Sequence, residues 1–108
     1  MELFDPIKQK YITRGVEAEI SIEYQIIIFD AIEKWRLQKV QLDYLQVFRL
    51  SVENDGEGNM VQIIRHSQEV PELNEEIRFH IESNGITNQI FVIDDGAEYY
   101  TMLLSSEY

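Results

Sequence analysis

The chain has 108 residues, 44% of them hydrophobic and 11% aromatic, which fits one domain over residues 1–108 with its own core and excludes a disordered chain. It has no cysteine, so disulfides, iron–sulfur clusters, thiolate zinc sites and cysteine nucleophiles are excluded. The formal net charge of −11 sits almost wholly in the second half, where residues 53–108 hold twelve acidic groups against Arg65 and Arg78; that field repels phosphate backbones and excludes ordinary nucleic-acid binding.

The opening Met1-Glu2-Leu3-Phe4-Asp5-Pro6 has neither the basic nor the long apolar region of a signal peptide. The longest helix-compatible apolar run, Ile26-Ile27-Ile28-Phe29, is too short to span a bilayer. A cytoplasmic protein without membrane association is expected. Lys10 to Gly15 alternates as a short strand that Gly15 ends, with Lys8, Lys10, Ile12 and Arg14 on one face. Three cations on one face predict a solvated or edge strand.

Ser21 is a helix cap for a segment from Ile22 to Leu37, with Glu23 in the first turn and Lys34 and Arg36 in the last. At 3.6 residues per turn, Tyr24, Ile28, Ala31, Ile32 and Trp35 form one apolar stripe, and Ile22, Ile26 and Phe29 a second beside it. That arc is wider than one sheet face needs, so the second stripe is either buried or covered by a second subunit.

Leu42 to Val52 is apolar on both faces, as in a central strand. The loop Glu53–Asn59 leads to a strand from Met60 to His66. Glu69 to Glu75, broken by Pro71, reads as a loop, and Glu76 to Glu82 as a half-solvated strand with Ile77, Phe79 and Ile81 inward. After a turn at Asn84-Gly85, the runs Ile90–Ile93 and Tyr99–Leu104 flank Asp94-Asp95-Gly96 and form the clearest hairpin signal in the chain. These elements predict an α+β fold: a mainly antiparallel sheet of about five to six strands packed against one long helix in the N-terminal half. A partly closed barrel is the alternative.

Chemistry is thinly signalled. With Glu53 at its first position, the loop to Asn59 imitates half of a calcium loop, but Ile64 stands where a bidentate carboxylate is required. Adjacent Asp94 and Asp95 point opposite ways if extended, a poor arrangement for acid–base work. His66 and His80 lack a metal-motif partner, and the general-base arrangement His66-Ser67-Gln68-Glu69 is weaker than a structural histidine. Nucleophile elbow, phosphate loop and dinucleotide fingerprint are missing. No catalytic residue, cofactor or metal is therefore assigned. Asp94, Asp95, Glu98 and Tyr99 at the hairpin, with Ile26 and Phe29 on the helix, are the candidate interaction surface, since exposed tyrosine and apolar stripes favour protein contacts.

Several segments resemble the bacterial family called domain of unknown function 960: Tyr11-Ile12-Thr13-Arg14-Gly15-Val16, Leu42-Asp43-Tyr44-Leu45-Gln46-Val47-Phe48, and His66-Ser67-Gln68-Glu69-Val70-Pro71. The strongest match is Ile90 to Gly96 with Thr101-Met102-Leu103-Leu104 and the final Glu107-Tyr108. Ser21 departs from the proline expected there, and either residue suits a helix start. The resemblance implies a compact bacterial cytoplasmic protein and supplies no activity or site. The expected function is that of a non-enzymatic, acidic protein-interaction module, binding a protein partner or a second copy of itself. The alternatives are an acidic nucleic-acid mimic that inhibits a nucleic-acid-binding protein, and a small metal-dependent enzyme.

Overall fold

The computed structural model describes residues 2–108. In chain order they form β1 (Gln9–Ile12), α1 (Arg14–Glu19), α2 (Ile22–Leu37), β2 (Leu45–Asn54), β3 (Met60–Gln68), β4 (Leu73–Ile81), β5 (Asn88–Ile93), β6 (Tyr99–Leu104) and a closing 3-10 turn, Ser105–Glu107. The six strands make one sheet in the order β1-β6-β5-β2-β3-β4. β1 pairs parallel to β6, and every other neighbour is antiparallel. The sheet is therefore mixed and open, with β1 and β4 as its edges, and the barrel alternative is not formed. Among the described residues no helix is long and apolar enough to cross a membrane.

Strand alternation divides the sheet into two unlike faces. One carries Phe48, Leu50, Ile64, Ile90, Val92, Tyr100, Met102 and Leu104, which form a single core with Phe4, Val16 and Ile20 and with Ile28, Ala31 and Ile32 of α2. The helix runs over the expected residues, and its first stripe is the buried one, as periodicity requires. Its second stripe divides: Phe29 lies partly buried, edge-on to Tyr100 at 5.9 Å, whereas Ile22 and Ile26 face outward. Ser21 stands at the cap position without a side-chain cap bond; its carbonyl accepts from Tyr24 and Gln25 instead.

Three expectations along the chain are corrected. Residues 14–19 are helical, not the end of a strand: Thr13 Oγ1 accepts from the Val16 N–H at 3.3 Å, the bond that starts a helix. The distant carboxylate of Glu107 completes this start, accepting from Thr13 Oγ1 at 2.6 Å, from the Gly15 N–H at 3.3 Å and from the Leu104 N–H at 2.8 Å. A β-carbon at position 15 would lie 2.7 Å from that carboxylate, so the glycine serves the clasp. Lys8 is buried, not solvated. β4 begins at Leu73, inside the segment read as a loop, because Leu73 to Glu76 pair in unbroken register with Arg65 to Gln68.

Candidate interaction surface

The hairpin turn opens on Asp94, and its side chain is wholly buried, which removes it from the predicted surface. Ile90 and Val92 point into the core, so the residue two further on points there as well. Burial of a carboxylate is costly unless it is paired and hydrogen-bonded. Lys8 Nζ donates to both Asp94 oxygens, at 2.8 and 3.1 Å, and the backbone N–H groups of Phe4 and Gly96 donate at 2.8 and 2.9 Å. Asp94 thus fastens the N-terminal segment and its own turn to the core.

The rest of the hairpin end is exposed. Asp95 accepts from the Ala97 N–H at 3.3 Å and otherwise faces solvent, and Glu98 is exposed beside it. Tyr99 points away from the core because its neighbour Tyr100 points into it. It meets Tyr11 of the parallel strand β1 edge-to-face at 5.5 Å; the two rings are 45% and 51% exposed. On the same face Tyr108 stands edge-on over Phe91 at 5.5 Å, and Leu103 lies opposite Phe91 in the ladder. No helix covers this face. Its other half is charged at the surface over the buried Val61 and Ile63: Arg49 lies directly opposite Arg65, and Arg65 opposite Glu76, with Arg78 held by Glu53 and Glu76 at 3.0 Å each.

The six sequence-predicted residues therefore do not form one surface. Asp95, Glu98 and Tyr99 share the hairpin end, Asp94 is interior, and Ile26 and Phe29 belong to the helix on the opposite side of the sheet. Tyr11 and Tyr108 were missed. Tyr11 joins the surface through a parallel pairing across most of the chain and Tyr108 through its contact with Phe91, and no local pattern announces either.

The histidines have separate settings. His66 is stacked between Trp35 at 3.7 Å and Phe48 at 4.2 Å. Gln46 donates from its Nε2 to the Asp43 carbonyl and the Gln68 Oε1, which leaves its Oε1 to accept from His66 Nε2 at 2.6 Å. The ring is thereby fixed with Nδ1 unprotonated, and Nδ1 has no partner among the described residues. Burial pushes the His66 pKa down to about 3, the nearby Glu75 carboxylate opposing weakly, so the ring is neutral. The carboxylate near it is Glu75 rather than Glu69, and Glu75 is itself taken by Lys34 at 2.7 Å and Trp35 Nε1 at 2.9 Å. His80 is exposed, 3.7 Å from Asp55. Asp55 Oδ1 accepts from the N–H groups of Glu57 and Asn59 at 2.8 and 3.2 Å, and its Oδ2 from Asn59 Nδ2 at 3.1 Å, the geometry of a self-capped acidic turn. Among the described residues no three His, Asp or Glu side chains are grouped to hold a metal.

Residues 9–107 match the family described as "Staphylococcal protein of unknown function (DUF960)". The chain is also similar in structure to a protein of unknown function from Enterococcus faecalis, seen in a crystal structure, with 27% identity, a TM-score of 0.77 and coverage of 100% of this chain and 97% of that one. No curated protein matches.

Proposed function

The chain belongs to the DUF960 family of staphylococcal proteins of unknown function, and from that premise we propose that it is a non-enzymatic, cytoplasmic interaction module that reads a protein partner with the helix-free face of its sheet. The observation that carries this reading is the exposed Tyr11–Tyr99 pair flanked by Asp95 and Glu98. Tyrosine offers large apolar area at low entropic cost and keeps a hydrogen-bonding tip, the profile of an interface anchor. The neighbouring carboxylates complement a partner with a basic rim around an apolar recess. A mimic of nucleic acid is less well supported, because it needs a continuous acidic surface and Arg49, Arg65 and Arg78 interrupt this one. A metal-dependent enzyme is less well supported too, since no three His, Asp or Glu side chains are grouped among the described residues.

The test is capture from native bacterial lysate by the wild type and by the double variant Tyr11→Ser with Tyr99→Ser, whose positions lie outside the core. A protein retained by the wild type and lost by the variant is the expected result. Equal retention by both, or no specific capture, overturns the reading.

A further inference from the structure

The sheet's two edges are unequal. β1 spans four residues, whereas β4 spans nine and pairs with β3 in unbroken register from Leu73 to Ile81. Among the described residues no strand lies on the other side of β4, which leaves a row of backbone donors and acceptors aimed outward. Natural proteins shorten, bulge, break or charge such an edge when it must stay single, because it is a template for an added strand; the charges of β4 are Glu75, Glu76 and Arg78. β4 has neither bulge nor proline.

We infer that the strand β4 takes is β4 of a second copy, antiparallel, about a two-fold axis through Ile77. The sequence Leu73-Asn74-Glu75-Glu76-Ile77-Arg78-Phe79-His80-Ile81 is complementary to its own reverse. An axis at Ile77 sets Glu76 opposite the second copy's Arg78 and, by symmetry, Arg78 opposite its Glu76, which extends across the joint the pairs these side chains already make with Arg65, Glu53 and each other; it pairs Leu73 with Ile81, Asn74 with His80 and Glu75 with Phe79. Oppositely charged cross-strand pairs stabilise a ladder and like-charged pairs oppose it. Moving the axis to Glu76 or to Arg78 sets two carboxylates or two guanidinium groups face to face, so charge selects the register. A two-fold normal to the sheet also keeps both helix layers on one side. Ile77, only partly buried against the core of one chain, then meets the Ile77 of the second copy, while Phe79 lies opposite Glu75 and reaches the second copy's Ile77 and Leu73 on the diagonal. Glu75 is the one charge on the core side of β4 that would oppose pairing, and it is already turned inward to Lys34 and Trp35 at 2.7 and 2.9 Å. This joint is at the opposite end of the sheet from Tyr11 and Tyr99 and does not depend on the partner proposed for them.

Sedimentation equilibrium supplies the first test. The wild type dimerises with rising concentration. Arg78→Glu, an exposed position, weakens the dimer by about tenfold by facing carboxylate with carboxylate, and the swap Glu76→Arg with Arg78→Glu recovers part of the loss, the remainder being due to the like charges it sets beside Arg65 and Glu53 in each chain. Circular dichroism checks that each variant is folded. Cross-linking supplies the second, and the chain's lack of cysteine gives it a clean background. Asn74→Cys combined with His80→Cys forms a covalent dimer on mild oxidation, whereas either single variant does not, because only residues 74 and 80 oppose each other across the axis. A wild type that stays monomeric at every concentration overturns the inference, as does a dimer indifferent to Arg78→Glu that the paired cysteines do not trap.

Discussion

At the scale of single residues, the chain buries an ion pair and a histidine, Lys8–Asp94 and His66, and accommodates them differently. Lys8 and Asp94 are both fully buried and hold each other at 2.8 Å. Removing one partner of such a pair leaves a charge without compensation, at a cost of roughly 3–5 kcal/mol. Lys8→Met and Asp94→Ala are each expected to lower urea stability by about that amount. Lys8→Met with Asp94→Asn, which removes both charges and keeps an amide oxygen for the Phe4 and Gly96 N–H groups, recovers part of the loss. His66 is kept neutral instead. Its folded pKa lies near 3, below the ordinary value of 6.5, so the unfolded chain binds the extra proton between those limits. Stability is complete above pH 6.5 and is lost as pH falls toward 3. Glu33, Glu75, Glu76 and Glu107 are also held below the carboxylate value of 4.5, by hydrogen bonds to Arg36, Lys34, Arg78 and Thr13 respectively, so they add to the loss only in the acid range. The decline from pH 6.5 to about 4.5 therefore belongs to His66, and unfolding titrations of His66→Phe should flatten it there. A wild-type stability that is level across that window contradicts the assignment.

At the scale of elements, α2 has two apolar stripes of unequal use. Ile28 is inaccessible, whereas Ile26 is 54% exposed. Ile28→Ala is expected to cost about 2–5 kcal/mol through lost burial and the cavity left behind, and Ile26→Ala less than about 0.5 kcal/mol. Equal losses in chemical denaturation would mean the helix is rotated from this placement. The extent of α2 was legible in the sequence because it rests on local terms: a 3.6-residue period, an acidic first turn and a basic last turn. So was the β5–β6 hairpin, whose apolar runs close on an Asp-Gly turn. What was illegible is nonlocal. α1 depends on Glu107, more than ninety residues beyond Thr13, and without that clasp Gly15 reads as a strand end. The start of β4 lies in an acidic run after Pro71 that only pairing with β3 turns into a strand. Asp94 looked solvent-facing because nothing near it in sequence announces Lys8 as its counter-ion, and Tyr11 stayed unremarked until β1 was laid beside β6.

At the scale of the whole molecule, one covered face and one bare face follow from six strands served by two helices, and the net charge of −11 acts on anything that approaches either the bare face or the β4 edge. Two copies meeting at β4 repel each other through all of that charge, whereas the Glu76–Arg78 contacts are the electrostatic attraction that adds to the backbone ladder and the apolar contact at Ile77. The two effects differ in range. At about 0.01 M salt the Debye length is roughly 30 Å, comparable to the molecule's 29 Å middle dimension, so the whole charge of each copy is felt by the other. At about 0.15 M it shrinks to roughly 8 Å, which silences the distant carboxylates and leaves contact pairs the less weakened. Self-association through β4 is therefore expected to tighten as salt rises from the lower to the higher value. A partner held by Tyr11 and Tyr99 with a basic rim behaves oppositely, weakening over the same range as its long-range attraction is screened. Sedimentation equilibrium of the isolated chain and retention of a captured partner, both run across that salt range, separate the two surfaces without any mutation. A dimer that loosens steadily with salt would mean that attraction between opposite charges, and not strand addition against a general repulsion, holds the copies together.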